Sequence, residues 1–141
     1  MKVAIHQPNF FPRLKILQKI CAADVWVVLD SVQYAAREWQ NRTRLVSLHD
    51  TPSPFWYTVP VKRPHGRETK IEEIICEDEH IYKERFGRTL VHAYRNAPHW
   101  DEFKVYVSLA ESIKIQGCLT AVGVEFTVSV LDVAVRELTI I

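Results

Sequence analysis

The chain has 141 residues, of which 48% are hydrophobic and 25% charged, and its formal net charge is +1. That length and balance fit one globular domain over residues 1–141 and exclude a disordered or fibrous chain. The near-zero charge argues against nucleic acid as the partner, and no apolar run is long enough to span a bilayer.

The first strand is expected at Lys2–Gln7. It runs into a turn, His6-Gln7-Pro8-Asn9, followed by Phe10, Phe11 and Pro12. Two prolines fix φ and remove two backbone donors. Three hydrogen-bonding side chains therefore sit on a stiffened turn at the carboxyl end of a strand, the edge where ligands bind in open α/β sheets.

Pro12–Ala23 reads as a helix, with the proline in its first turn. Leu14, Leu17, Ile20 and Cys21 recur at helical spacing and predict its buried face. After Asp24 comes Val25-Trp26-Val27-Val28-Leu29, a run expected to be a strand buried on both faces. Strand, helix and strand make a βαβ unit with a right-handed crossover. In a parallel pair, Asp30 and His6 end their strands at the same edge.

Ser31–His49 is polar and aromatic, and Thr51–Pro54 is a turn. Phe55–Val61 alternates as a strand does, though Pro60 argues against a central place in a sheet. Lys62–Lys70 is a basic loop, and Ile71–Cys76 is a short strand or the start of a helix. Tyr82, Phe86, Leu90 and Tyr94 form one stripe of a helix over His80–Asn96, stopped before Pro98. Gly87 weakens that helix by about 1 kcal/mol relative to Ala. Val105–Gln116 is a further helix through Val105, Leu109 and Ile113, and Val122–Ile141 fits either period. The expected class is α/β: an N-terminal βαβ unit with a mainly parallel sheet, helices packed on it and C-terminal helices.

From Tyr34 to Lys70 seven basic residues (Arg37, Arg42, Arg44, Lys62, Arg63, Arg67, Lys70) face three acidic ones (Glu38, Asp50, Glu68). Arginine forks at a polar strand edge suit the phosphate or carboxylate groups of a small-molecule substrate. Cys21, Cys76 and Cys118 are scattered, with no CxxC pair. A disulfide framework or thiolate zinc site is not expected, and Cys21 and Cys76 read as small core residues. His49, His65, His80, His92 and His99 follow no ligand spacing, so no metal site is expected. No P-loop, GxGxxG, GxSxG or HExxH is present, and no pattern names a cofactor. Oligomeric state is left open. The start of the chain lacks the order of a signal peptide, so a cytoplasmic protein is expected.

Four ordered stretches carry a resemblance. Ile5–Pro12, Ala23–Tyr34, Trp39–Arg44 and Trp56–Arg63 resemble the successive motifs of the WbqC-like family of bacterial proteins, over roughly residues 3–100. Ser31 stands where that family usually carries an acidic residue. The resemblance implies a role in making or modifying surface-polysaccharide sugars, O-antigen included. The implied enzyme is a transferase using a sugar nucleotide or an activated acyl or aminoacyl donor. The implied site has His6 and Asp30 as catalytic groups, with Gln7, Asn9, Gln33, Asn41, Arg42, Arg44 and Lys62 binding substrate. A module that binds a nucleotide sugar or partner without turnover is the alternative. At fold level the first strand, helix and second strand are also similar to nucleotidylyltransferases of the HIGH-motif superfamily, although HxGH spacing is absent.

Overall fold

The computed structural model describes residues 1–48, 51–77, 79–112 and 118–138, the side chains of 79–83 and 133–138 excepted. Of the expected features, His49, the side chains of His80 and Tyr82, and the helix end over 113–116 lie outside the described residues.

Strand β1 (Val3–His6) pairs in parallel with β2 (Val25–Val28), His6 opposite Val28, and helix α1 (Leu14–Cys21) connects them. This is the expected βαβ order. The parallel sheet stops there, however. After β2 the chain makes no second crossover. It runs extended beside residues 67–72, tied by Glu72 N–H to Asp30 O, Ile71 N–H to Val32 O and Tyr34 N–H to Thr69 O. Among the described residues no third strand joins the pair, and the remaining named pairs are antiparallel ribbons. One joins β3 (Arg42–Ser47) to β4 (Ser53–Thr58), and the other joins β5 (Val61–Lys62) to β6 (Ile75–Cys76). The molecule is thus mixed α/β with small sheets.

Two burial expectations are corrected. Val25 and Val27 are 43% and 44% exposed, and Val3 and Ile5 stand exposed beside them. Only the face carrying Ala4, His6, Trp26 and Val28 is covered, so β2 is buried on one side. On α1, Ile20 is buried and Leu17 half-buried, but Leu14 is 69% exposed and Cys21 is exposed. The helical period defines an apolar face without saying how much of it finds something opposite. Leu14 ends at the rim of a cavity of about 250 Å³ between α1 and the last two helices.

Three longer helices follow: α2 (Glu79–Tyr94), α3 (Trp100–Ser112) and α4 (Leu119–Leu138). Asp101 and Glu102 in the first turn of α3 favour the positive end of its dipole. The main core lies between the inner face of the β3–β4 ribbon (Leu45, Tyr57) and these helices (Phe86, Leu90, Val107, Ala110, Val122, Phe126). Phe10 belongs to it at 1% exposure. Its ring meets Phe86 edge-on at 5.0 Å, so the residue following the His-Gln-Pro-Asn turn is an anchor in the core. A second cluster of Tyr34, Ile71, Ile74 and Leu119 holds the extended ribbon beneath α4.

Candidate functional site

The turn after β1 is fixed from three sides. Phe10 plugs it into the core. Gln40, itself buried, donates from Nε2 to Gln7 Oε1 at 2.7 Å and accepts the Phe10 amide on its main-chain carbonyl at 3.1 Å. From the third side comes α4. A Cβ placed on Gly123 would lie 2.9 Å from the Asn9 carbonyl oxygen and 3.2 Å from its carbon, so only glycine lets the helix approach this closely. Asn9 is buried there.

His6 is half-buried at the strand end, with Nδ1 2.7 Å from its neighbour's carbonyl, Gln7 O. A carbonyl only accepts, so Nδ1 is the donor, and in the neutral imidazole this tautomer puts the lone pair on Nε2. The contact that orients the imidazole is therefore this carbonyl. The main chain of His6 ties the two strands through Leu29 N–H, 3.0 Å away. Asp30 lies at the same edge, as the parallel register requires, with its carbonyl taken by Glu72. Gln33 is turned toward the basic loop, where it faces Lys70 and donates to Arg67 O at 2.5 Å.

Asn41 is a brace. Its Nδ2 donates to Val59 O at 2.8 Å, its Oδ1 accepts from the Tyr34 hydroxyl at 2.8 Å, and its carbonyl takes Val59 N–H at 2.7 Å. Burial pushes the Tyr34 hydroxyl above its ordinary pKa of 10.0, and the charges of Arg63 and Arg42 oppose that rise. Arg42 follows Asn41 in the chain, at the start of β3. Arg44 stands exposed on the outer face of the β3–β4 ribbon, and Lys62 is exposed on β5.

The structure thus links Gln7, Gln40, Asn41, Tyr34 and Arg42 into one connected region. Arg44 and Lys62 lie farther along the strands. Gln40 and Tyr34 join the expected residues in this region. A polar residue in a polar stretch carries no mark of being buried, although Trp39–Arg44 was already notable as a motif. Four of the molecule's cavities, of about 250 to 430 Å³, are lined by other residues than His6, Asp30 and Arg42. The candidate site lies at the end of the β1–β2 pair; His6, Asp30 and Arg42 are each half-buried. Among the described residues no group of three or more His, Cys, Asp or Glu side chains is placed to hold a metal, and no helix is long and apolar enough to cross a membrane.

Comparison with known proteins agrees with the ordered motifs. A model of the WbqC-like protein family matches residues 7–136. The chain belongs to that family. The match takes in α4, beyond the roughly 100 residues over which the motifs are visible by eye, and His6 stands one position before it. The chain is also 32% identical over 101 residues to the uncharacterized protein Rv1507c of Mycobacterium tuberculosis, an alignment covering 72% of this chain and 42% of that protein. The chain thus spans less than half the length of that mycobacterial protein. No solved structure matches it.

Proposed function

We propose that this WbqC-like protein is a transferase acting on a sugar nucleotide, or on an activated acyl or aminoacyl donor, in bacterial surface-polysaccharide biosynthesis. The observation that carries the reading is the imidazole of His6, whose Nδ1 contact with Gln7 O leaves Nε2 as a base at the strand edge. Nε2 takes the proton of an acceptor hydroxyl. The acceptor oxygen bonds to the donor carbon, and the bond to the phosphate leaving group breaks with its electron pair. Arg42, Arg44 and Lys62 stabilise the charge on that group, and Asp30 at the same edge favours the imidazolium that forms. Gln7, Asn9, Gln33 and Asn41 shape and orient the site.

A second reading is a module that binds the same ligand without turnover: small-molecule sites are ordinarily concave, and none of the four cavities described reaches His6 or Asp30. One experiment separates them. The protein is incubated with sugar nucleotides and acyl donors, and leaving-group release is measured for wild type and His6→Ala. Release that is lost in a folded His6→Ala protein supports the transferase. Ligand-induced stabilisation (about 2.7 kcal/mol at one hundred times the dissociation constant) without release selects the binding module.

A further inference from the structure

We propose that Arg13 and Arg42 form a binding site for a diphosphate group, held in place by a stack through Trp39 and Trp56. The proposal deepens the transferase reading and rests on it only for the ligand's role as a leaving group.

The guanidinium carbon of Arg13 lies 4.3 Å from the centre of the Trp39 ring. Trp39 and Trp56 meet at 5.0 Å between ring centres, tilted by 55°. The guanidinium carbon of Arg42 lies 4.1 Å from the Trp56 ring. Four side chains from three separate segments thus make one run with a cation at each end. Arg44 stands opposite Trp56 in the β3–β4 register and adds a third guanidinium to the same exposed face.

Stacking uses the face of a guanidinium and leaves its in-plane N–H groups pointing outward. Arg42 directs Nε to the Glu38 carbonyl at 3.2 Å, which fixes the plane and leaves both terminal nitrogens. No ion pair among the described residues involves Arg13, Arg42 or Arg44. Pre-set arginine forks without carboxylate partners are suited to bidentate binding of phosphoryl oxygens. A diphosphate offers oxygens on two phosphorus atoms and meets two forks at once. A single-stranded nucleic acid fits less well, because its bases need open aromatic faces, and here one face of each ring carries a guanidinium group. The run is also joined to the candidate site. Arg13 follows Pro12 at the end of the anchored turn, and Trp39 precedes Gln40, which holds Gln7.

The test is calorimetric titration of the whole chain with inorganic pyrophosphate, ADP and a single-stranded oligonucleotide, at low and high salt. Pyrophosphate is expected to bind and to shift tryptophan fluorescence. Arg13→Ala and Arg42→Ala are each expected to weaken it about tenfold. Arg42→Lys keeps the charge, is the milder variant should the alanine fail to fold, and is expected to weaken binding as well because it lacks the fork. Arg88→Ala, on the outer surface of α2, should change nothing. ADP bound as tightly as pyrophosphate places recognition on the diphosphate itself; ADP bound tighter, with the same arginine dependence, adds a nucleoside and also supports the site. No pyrophosphate binding, or binding indifferent to Arg13→Ala, overturns the proposal. Tighter binding of the oligonucleotide than of either small ligand overturns it in favour of a polymer surface. A protein that binds pyrophosphate through these arginines yet releases no leaving group keeps this site while the transferase reading falls.

Discussion

Gly123 on α4 and Asn9 in the turn after β1 touch backbone to backbone: a Cβ on the glycine would stand 2.9 Å from the Asn9 carbonyl oxygen. The obstacle is main chain, which has no rotamer to change. Gly123→Ala is therefore expected to destabilise the fold by about 1 to 3 kcal/mol and to weaken ligand binding at the His6 edge. Chemical denaturation and titration of the same samples check both effects. Unchanged stability would show that α4 does not pack here.

Gly87 provides the contrast. A Cβ there would meet the side chain of Glu111 on α3, with Cγ at 2.9 Å, and that carboxylate end is exposed and able to swing away. Relief of the glycine's helix penalty then decides the sign, and Gly87→Ala is expected to raise stability by up to about 1 kcal/mol. A loss above that size in urea unfolding would mean that Glu111 is held in place.

Asn41→Ala removes the partner of both the Val59 carbonyl and the Tyr34 hydroxyl. Two buried polar groups are left unpaired, at about 1 to 3 kcal/mol each at most. A midpoint shift of that order, with ligand binding at Arg42 weakened in parallel, is the expected result. Wild-type stability in Asn41→Ala would remove the brace from the account.

Alkaline pH reports on the same pair. Burial holds the proton on Tyr34, and likewise on Tyr57, above the ordinary value of 10.0. Below pH 10 the folded and unfolded chains are both protonated and the contribution is constant. Above it the unfolded chain releases protons first, so stability falls as pH rises through the folded values. Tyr34→Phe is expected to flatten part of that fall while lowering stability at neutral pH by about 1 kcal/mol. Thermal melts across pH 9–11 follow both effects, and a slope identical to wild type would refute the assignment.

What the sequence disclosed follows from which signals are local. The strand, helix and strand up to Asp30 were legible because prolines and apolar runs mark their own boundaries. Arg42–Ser47 carries no plain strand signal, because its inward residues Thr43 and Leu45 are interrupted by Arg44 on the outer face. The apolar run of β2 reads as doubly buried, yet Val25 and Val27 stand exposed on the outer face. Leu119–Leu138 is rich in β-branched residues that favour strand, and packing of Leu119, Val122 and Phe126 into the cores overrides that preference. At the site, the polar residues of the first turn and of Trp39–Arg44 were visible as motifs. Which of them brace the protein and which face outward depends on contacts between distant segments. Asn41 and Gln40 look the same on paper as residues that hold a ligand.

The closeness of Asn9 and Gly123 also bears on the order in which the protein comes into being. A ribosome makes the turn early and α4 late, and contacts so distant along the chain form slowly. Until the helix arrives, Phe10 has only part of its core and the turn lacks its third wall. The nascent chain therefore carries the residues of this turn well before it has the contact that walls them in.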